Sequence, residues 1–412
     1  MTKCNQIILL IICCCLSVTG YTQSKSFKKG KVKASNYFET LAFEFEKNKI
    51  IIPVDIEGTT YRFLLDTGAP NIISKEVYEA IQPRHIVEVS TNDANEISQK
   101  LNVVSIESIK LGSIEFTDFS ALVFDLNGSD IFKCFDIDGF IGSNMLRHSV
   151  IQIDAKLHNL ILTDNIKRLA LDKKQSEKIK LVGNQSSPYI WIDLKGEDSG
   201  REMILIDTGM GSLYDLSEDN YRIFKEKKIY NEIGVSDGAS SLSLFGEVPV
   251  NSQTRVHLPK LIINNFEINN AITHTTKDDH SKMGAALLNH GIMTIDYRKK
   301  RFYFNPHKDS LNLQGDFGFT QTLKNNTIVI GYVWDEDLKT KISYGDQILE
   351  VNGKEVNSIY LCDYLTKQSM LETSEAIHLK VKTNNGTVLD LEIKRKPLSS
   401  IFDDFNINST SR

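Results

Sequence analysis

Short apolar runs interrupted by polar turns recur along most of the chain, a pattern typical of β-strands. The apolar runs at residues 50–56 and 61–65 lie on either side of a short polar turn, which predicts two strands joined by that turn. Residues 189–194 and 203–206 repeat this arrangement around a longer turn with two glycines. Only short helices fit the pattern, as at residues 74–81 and 143–146. The sequence therefore predicts a mostly β protein.

One unit of sequence occurs twice, as three blocks in the same order. The first block is an apolar strand that runs into Asp-Thr-Gly, at residues 63–69 and again at residues 204–210. The second block is two short β runs around a turn, and the third is a segment that begins with Gly and ends with Asp. These two blocks lie at residues 111–116 and 142–154, and recur at 263–268 and 284–296. Three matched blocks in one order indicate a duplication.

The duplication and the changes of pattern around it divide the chain. A polar, Lys-rich and Gln-rich linker, partly helical in pattern, separates the two copies, and the pattern changes to a smaller α/β unit after Asn305-Pro306. The expected segments are a signal peptide (1–20), an N-terminal lobe (21–163), the linker (164–180), a C-terminal lobe (181–306), the α/β domain (313–397) and a disordered tail (398–412).

The first residues have the pattern of a secretory signal peptide. Lys3 precedes an apolar run at residues 7–18, which is shorter than the roughly 20 residues that span a bilayer. Val18 and Gly20 are the small residues that a signal peptidase accepts, so we expect cleavage after Gly20. An uncleaved anchor is the alternative. We therefore expect an exported protein, periplasmic or extracellular, with attachment to the cell surface left open and no transmembrane segment in the mature chain.

Cys134 and Cys362 remain after that cleavage. They fall in different predicted domains, so we expect no disulfide framework, although the compartment of an exported protein would allow one. Two distant thiols suggest no metal site, and His274, His280 and His307 lack the spacing of metal ligands. We expect neither a metal nor a cofactor.

Composition places the chain among ordinary globular proteins. Its 412 residues are 41% hydrophobic and 25% charged, with only 8 prolines, which excludes a disordered or collagen-like chain and suffices for two or three packed domains. The 48 Lys and Arg residues nearly balance the 53 Asp and Glu residues, for a net charge of −5. Because a surface for nucleic-acid phosphates needs an excess of basic residues, no nucleic-acid partner is expected.

Each Asp-Thr-Gly sequence places a carboxylate on a tight turn after an apolar strand. One such turn is weak evidence, since Asp in a turn often bonds its own backbone. Two turns in a duplicated unit imply an approximate two-fold axis that brings Asp66 and Asp207 together. Thr67 and Thr208 then have hydroxyls suited to hydrogen bonds across that axis. Two adjacent carboxylates share one proton, so one can act as a base on water while the other acts as an acid.

The two turns resemble the active-site turns of retropepsin-like aspartic peptidases, here as two lobes in one chain, as in pepsin-like enzymes. In that family a hydrophobic-hydrophobic-Gly segment supports each turn. Phe140-Ile141-Gly142 fits this pattern, whereas Lys282-Met283-Gly284 has a lysine in place of one apolar residue. The resemblance implies a dyad formed within one chain, and a set of turn residues: catalytic Asp66 and Asp207, supported by Thr67, Gly68, Thr208 and Gly209.

The same family covers its substrate with a β-hairpin flap, and each lobe has a candidate, at residues 89–103 and 234–250. Neither contains a tyrosine that matches the pepsin flap, so ordinary surface loops are the alternative. His148 and His290 occupy equivalent positions of the repeat outside any plausible dyad, and we expect them to be structural.

Residues 345–356, Gly-Asp-Gln-Ile-Leu-Glu-Val-Asn-Gly-Lys-Glu-Val, resemble PDZ domains. Asn352-Gly353 is a hairpin turn signal, and residues 358–367 have helical composition. PDZ domains bind extended peptides by strand addition, and the resemblance implies capture of a terminal carboxylate at the loop that contains Gly318, Phe319 and Thr320. A domain with a closed groove, used only for packing, is the alternative.

Together these resemblances imply an exported, bacterial aspartic endopeptidase. Such a hydrolase cleaves peptide bonds with a water activated between two aspartates, and its PDZ domain binds substrate or regulatory peptides. The alternative is a non-catalytic exported protein that binds peptides in the PDZ groove and retains the protease lobes as relics.

Overall fold

The computed structural model describes residues 23–92, 98–172, 175–239, 242–243, 246–247, 249–313, 315–325, 327–356, 361–367, 374–397 and 401. The predicted signal peptide, residues 1–20, and nearly all of the predicted tail, residues 398–412, lie outside this set. No helix within these residues is both long enough and apolar enough to cross a membrane.

Strands dominate the described residues, so the prediction of a mostly β protein is confirmed. The strands of the first lobe are β1 Lys31–Val32, β2 Phe38–Ala42, β3 Glu44–Glu46, β4 Lys49–Ile56, β5 Thr59–Asp66, β6 Ile72–Ser74, β7 Arg84–Asn92, β8 Ser98–Leu111, β9 Ile114–Phe124, β10 Gly139–Gly142, β11 Val150–Asp154 and β12 Asn159–Thr163.

The later strands repeat this series and then change to a third unit. Those up to the end of the second lobe are β13 Glu177–Lys178, β14 Lys180–Val182, β15 Ser187–Lys195, β16 Ser199–Asp207, β17 Tyr214–Ser217, β18 Asn231–Gly238, β19 Leu242–Ser243, β20 Gly246–Glu247, β21 Asn251–Ile263, β22 Phe266–Thr276, β23 Lys282–Gly284, β24 Gly291–Asp296, β25 Arg301–Pro306 and β26 Ser310–Asn312. Those of the C-terminal domain are β27 Phe319–Lys324, β28 Thr327–Val333, β29 Gln347–Val351, β30 Lys354–Glu355, β31 Ala376–Lys382 and β32 Val388–Lys394.

The α-helices are short, as the sequence predicts. They are α1 Lys75–Ile81, α2 Asp130–Phe135, α3 Ser143–Leu146, α4 Glu218–Lys225, α5 Glu336–Lys339 and α6 Leu361–Thr366. The hydroxyl of Ser74 caps α1 by accepting from the backbone N–H of Val77, and Ser217 caps α4 in the same way through Asn220.

The two lobes contain the same sheet. The first runs in the order β1-β9-β6-β10-β5-β4-β8-β7 with β3 beside β4, and the second in the order β14-β15-β16-β23-β17-β22-β21-β18 with β26 beside β22. The path β4-β5-β10-β6-β9 of the first sheet therefore corresponds to β15-β16-β23-β17-β22 of the second. In the first lobe β4 and β5 meet in a tight turn at Glu57 and Gly58, both at positive φ, as a two-residue hairpin requires.

A third sheet joins the lobes, in the order β13-β25-β24-β11-β12-β2. At its centre β11 pairs antiparallel with β24, so that Gln152 lies opposite Thr294, the residue in the same position of the repeat. The amide of Gln152 donates to the hydroxyl of Thr294 at 3.0 Å. An approximate two-fold axis therefore passes between these residues. Ile151 and Ile295 are fully buried in one apolar core that includes side chains of both lobes, and burial of this kind contributes about 1.5–3 kcal/mol for each side chain.

The predicted linker, residues 164–180, is more ordered than its composition indicates. Among its described residues the helical content is one 3₁₀ turn at Ile166–Arg168, and β13 pairs with β25 of the second lobe. Residues 173–174 lie outside the described residues.

The C-terminal domain has its own sheet and its own core. The sheet runs β27-β28-β29-β31-β32 with β30 beside β29, and the predicted hairpin at Asn352-Gly353 is confirmed, with both residues at positive φ. The domain also packs on the second lobe. A Cβ atom at Gly238 of β18 would lie only 2.5 Å from the carbonyl oxygen of Gly331 in β28, so the two backbones meet at a place that only glycine allows.

A single disulfide connects Cys134 in α2 with Cys362 in α6, although the two cysteines lie in different domains, and the compartment expected for an exported protein allows such a bond. The two residues are 228 apart in sequence, but α2 of the first lobe packs beside α6 of the C-terminal domain and brings their Cα atoms to 4.6 Å. Leu365 of the same helix packs against an apolar cluster of the first lobe. Nothing local in the sequence indicates this contact, because it depends on how the C-terminal domain folds back.

Loss of this disulfide should lower stability. We expect Cys362→Ser to lower the free energy of unfolding by about 2–4 kcal/mol, because the bond restricts the unfolded chain across a very long loop. Thermal unfolding with and without a reducing agent measures this effect. Reduction should destabilise the wild-type protein and leave Cys362→Ser unchanged. Equal midpoints for the wild type and the variant without reductant would contradict the prediction.

Candidate active site

Two equivalent strands carry the Asp-Thr-Gly turns. β5 ends at Asp66, and β16 ends at Asp207. A short parallel strand supports each of them, since β10 pairs Gly142 with Asp66 and β23 pairs Gly284 with Asp207. A Cβ atom at either glycine would overlap backbone atoms of the turn that follows the aspartate. The glycines of the supporting segments are therefore required for the turns to pack where they do.

The two threonines cross-link the turns. The backbone N–H of Thr67 donates to Oγ1 of Thr208 at 3.0 Å, and the N–H of Thr208 donates to Oγ1 of Thr67 at 3.1 Å. Each hydroxyl in turn donates to a backbone carbonyl of the opposite strand, Thr67 to Ile206 at 2.6 Å and Thr208 to Leu65 at 2.8 Å. Both threonines are fully buried. Four hydrogen bonds thus hold the turns level across the axis.

The aspartates lie side by side at this junction. Oδ1 of Asp66 accepts the N–H groups of Gly68 and Ala69, at 2.9 and 3.0 Å. Oδ1 of Asp207 accepts those of Gly209 and Met210, at 3.0 and 3.2 Å. In each carboxylate the other oxygen takes no part in its own turn.

The glycine of each turn faces the carboxylate of the opposite turn. A Cβ atom at Gly68 would lie 2.7 Å from Cγ of Asp207, and a Cβ atom at Gly209 would overlap Oδ2 of Asp66. Asp66 and Asp207 are only 9% and 8% exposed. The turns therefore need glycine because each touches the opposite aspartate, and the two carboxylates are adjacent and largely withdrawn from water.

The pKa of Asp66 is raised to about 7, and burial is the largest cause. The nearby charge of Asp207 also raises the pKa, whereas the N–H groups of Gly68 and Ala69 and the charge of Lys49 lower it, and the value of about 7 is the net result. At neutral pH Asp66 is therefore close to the midpoint of its titration. A buried carboxyl of this kind can exchange a proton at ordinary pH.

A serine and a tyrosine support the first turn from below. The hydroxyl of Ser143, at the start of α3, donates to the carbonyl of Thr67 at 2.7 Å and is 2.8 Å from the hydroxyl of Tyr297. Tyr297 comes directly after β24, so a residue of the second lobe reaches under the turn of the first. Burial raises the pKa of the Tyr297 phenol, so it stays a neutral hydrogen-bonding group.

Two lysines lie beside the aspartates. Nζ of Lys282 is 3.7 Å from Oδ2 of Asp207 and 2.7 Å from Oδ2 of Asp278. Lys49, the first residue of β4, donates from Nζ to the carbonyl of Gly209. The sequence shows Lys282 as a departure from an apolar pattern, but it contains no signal for Lys49, because the contact joins the start of one strand to a turn of the other lobe.

The flap candidates coincide with hairpins. Residues 89–103 belong to the β7–β8 hairpin, in which Val89 pairs with Leu101, and residues 93–97 lie outside the described residues. Residues 234–250 include part of β18 and the short pair β19–β20, and residues 240–241, 244–245 and 248 lie outside the described residues. A flap role for either hairpin stays a prediction.

The histidines of the repeat lie away from the aspartates. His148 accepts at Nε2 from Nε of Arg147 at 3.1 Å and packs edge-on against Phe119. His290 stacks on Phe266 with ring centroids 6.3 Å apart. Burial lowers the pKa of both imidazoles, which favours neutral rings packed against aromatic side chains.

Gly318, Phe319 and Thr320 lie together at the start of β27, but their polar groups are engaged. The N–H of Gly318 donates to Oδ1 of Asp316 at 2.8 Å. The ring of Phe319 is buried in the core of the domain, and Oγ1 of Thr320 accepts the N–H of Tyr332 at 2.8 Å. The PDZ resemblance implies that this loop binds the terminal carboxylate of a peptide. In the structure the carboxylate of Asp316 already accepts one of the N–H groups of the loop.

Comparison with known proteins supports the class of the first lobe. Residues 52–145 match the model of a family described as aspartyl protease, and this range contains Asp66-Thr67-Gly68 and Gly142. No curated protein matches the chain. The part of the chain that carries the first Asp-Thr-Gly turn is therefore similar to this family.

Two solved structures are similar to this chain. A retropepsin-like aspartic protease from Rickettsia conorii is 18% identical, with 32% of this chain and 93% of that chain covered and a TM-score of 0.23. The aspartic proteinase from Irpex lacteus is 14% identical, with 66% of this chain and 98% of that chain covered and a TM-score of 0.39. TM-scores of this size do not extend the assignment beyond the family match.

Proposed function

We propose that this protein is an aspartic-type endopeptidase, a hydrolase that cleaves peptide bonds with a water activated between Asp66 and Asp207. The observation that carries the proposal is the pairing of two Asp-Thr-Gly turns across an axis, with each carboxylate against the glycine of the other turn. The hydrogen bonds between Thr67 and Thr208 support the proposal. They hold the two turns, and so the two carboxylates, in place without using Oδ2 of either aspartate.

The chemistry follows from one shared proton. The ionised carboxylate takes a proton from a water while the water oxygen forms a bond to the peptide carbonyl carbon, and the protonated carboxyl donates its proton to the carbonyl oxygen. In the tetrahedral intermediate, the carboxyl that took the water proton passes it to the amide nitrogen as the C–N bond breaks. At the same time one of the two hydroxyl groups of the intermediate gives its proton to the other carboxylate, and the new carboxyl group forms. The dyad ends with the single proton with which it began.

A diverse peptide mixture, analysed by mass spectrometry, tests this proposal. We expect new internal cuts after incubation with the purified protein between acidic and neutral pH, and we expect a peptide with a hydroxyl-bearing, non-cleavable mimic of the tetrahedral intermediate to block them. A metal chelator and a serine-directed acylating reagent serve as controls and should change nothing. The absence of cuts at every pH would contradict the proposal and favour the alternative, a non-catalytic peptide-binding protein.

The pH profile should show the titration of Asp66. Because the pKa of Asp66 is raised to about 7, the dyad keeps its proton below that pH and loses it as the pH rises through 7. A dyad with both carboxylates ionised has no acid, so kcat/KM for one synthetic peptide should fall above about pH 7. Measurement between pH 3 and 9 tests this, and an activity that is constant from pH 7 to 9 would contradict it.

We propose a peptide-binding role for the C-terminal domain, in which an extended segment adds beside β27, the end strand of the described sheet. Because Asp316 occupies the N–H of Gly318, a free terminal carboxylate would have to displace it. We therefore expect peptides with a free carboxyl terminus and their amidated forms to bind with similar affinity, as fluorescence anisotropy can measure. If no peptide of a diverse library binds, the result would support a closed groove that is used only for packing.

We also propose that the protein is exported, to a periplasmic or extracellular site. The disulfide between Cys134 and Cys362 supports this, because disulfides persist in oxidising compartments. A thiol-alkylating reagent added to intact cells before lysis should leave both cysteines unmodified unless a reductant is present. Recovery of the protein in the cytosol with both thiols alkylated would contradict export.

A further inference from the structure

The supporting strands of the two turns differ in charge. Each has a glycine opposite the aspartate, and the position two residues earlier is Phe140 in β10 and Lys282 in β23. Phe140 pairs with Leu64 and is 5% exposed, whereas Lys282 pairs with the equivalent Leu205 and carries an ammonium group. The duplication therefore places an apolar ring beside one turn and a positive charge beside the other.

A second difference between the lobes also places a positive charge against the turn of Asp207. The register of β4 on β5 and of β15 on β16 makes Lys49 and Ser187 equivalent residues. The ammonium of Lys49 donates to the carbonyl of Gly209, whereas the hydroxyl of Ser187 donates to the carbonyl of Gly68 at 3.4 Å. The turn of Asp207 is thus contacted by a lysine at the position where the turn of Asp66 is contacted by a neutral hydroxyl.

Backbone groups do not distinguish the two aspartates, because each carboxylate accepts two N–H groups of its own turn through Oδ1. The distinction lies at the other oxygen. Oδ2 of Asp207 is 3.7 Å from Nζ of Lys282, whose side chain is only 15% exposed. In such a poorly hydrated place an ion pair is screened much less than at the surface.

We propose that Lys282 is a positioning residue that keeps the negative charge of the dyad on Asp207 and leaves the shared proton on Asp66. The consequence for catalysis rests on the proposed peptidase function: Asp207 is then the base that takes the proton of water, and Asp66 is the acid that protonates the carbonyl oxygen. The duplicated lobes would thus perform different halves of one reaction.

Other charged and titratable groups also face this pair. They are Lys49 of β4, Asp66 of β5, Tyr189 of β15, Asp215 of β17, and Asp278 and Asp279 before β23. The charge of Lys49 acts on both aspartates, since its ammonium contacts the turn of Asp207 and also opposes the rise in the pKa of Asp66. Asp278 acts against Lys282, since it binds the ammonium group of that lysine at 2.7 Å and adds negative charge near the dyad. Burial lowers the pKa of Lys282, but Asp207 and Asp278 more than offset this and raise it above its usual value, so the lysine stays charged.

Three variants test the proposal through the acid limb of the pH profile of kcat/KM. Lys282→Met removes the positive charge and should move this limb upward by about 1–3 pH units, the usual effect of one close opposite charge. Lys282→Arg keeps the charge and should restore the wild-type limb. Asp278→Asn frees the ammonium for Asp207 and should move the limb downward. Lys110→Met, at a half-exposed lysine paired with Asp55, is the matched control and should not move it.

A readout without catalysis separates this proposal from the proposed function. In protein labelled with ¹³C at the aspartate carboxyls, the resonances lost in Asp66→Asn and Asp207→Asn identify the two groups. We expect the Asp66 resonance to titrate near neutral pH, the titrations of the two resonances to be separate in the wild type, and the separation to become smaller in Lys282→Met. Titration of both resonances together in the wild type, or the same titrations in Lys282→Met, would overturn the proposal. These outcomes are decisive even if no peptide is hydrolysed.

Discussion

An Asp66→Asn variant should hydrolyse peptides about 10⁴-fold more slowly than the wild-type protein, and Asp207→Asn should do the same. Asparagine can neither take a proton from water nor give one to the carbonyl oxygen, so the variant loses one of the two groups that the reaction needs. The fold should survive. The amide oxygen of asparagine can still accept the N–H groups of Gly68 and Ala69, as Oδ1 of Asp66 does.

Single-turnover kinetics on one synthetic peptide measures this loss, and circular dichroism checks the fold. Asp154→Asn is the matched control, because Asp154 also accepts a backbone N–H in a turn, that of Leu157 at 3.0 Å, but lies outside the dyad. This control should keep wild-type activity. If either dyad variant retained more than about a tenth of the wild-type rate, neither general acid nor general base catalysis by that aspartate could account for the reaction.

Thr67→Ala should lower the free energy of unfolding by about 2–4 kcal/mol. The substitution leaves two fully buried groups without partners, the N–H of Thr208 and the carbonyl of Ile206, and each such group costs about 1–3 kcal/mol. Activity should fall as well, since two of the four hydrogen bonds that hold the turns level are then lost. Chemical denaturation and peptide hydrolysis measure the two effects.

Thr67→Ser is the control for that experiment, because it keeps the hydroxyl and removes only a methyl group. It should recover most of the stability and most of the activity. The same comparison at Thr208 should give a similar result, as expected from the matching bond of Thr208 to Leu65. A Thr67→Ala protein as stable as Thr67→Ser would show that the cross-bonds contribute little.

The features that follow local rules could be predicted from the sequence. A Gly at a turn, an apolar run that ends in Asp, and the dipeptide Asn352-Gly353 each favour a turn at that position. The structure has the expected turns there. The repeat added what no single motif could, since only symmetry relates Asp66 to Asp207. Helix caps at Ser74 and Ser217 follow from the same local chemistry.

Contacts between distant segments that are not equivalent in the repeat could not be predicted. Lys49 reaches Gly209 across the lobe boundary, β13 pairs with β25, and α6 returns to α2 of the first lobe. None of these has a sequence signal, because each depends on where complete sheets come to lie. Lys282 is an intermediate case. The sequence shows that a lysine interrupts the apolar pattern there. That its charge lies beside Asp207 could be recognised only once the position of the dyad was known.

The disulfide from α2 to α6 also changes the topology of the molecule. Cys134 precedes the second lobe and Cys362 follows it, so the covalent bond closes a ring that contains that lobe entirely. A single cut of the backbone within the ring, for example between residues 164 and 180, would not release either piece. The product would be a two-chain protein that migrates as one species until it is reduced, and both aspartates would stay attached to the same covalent particle.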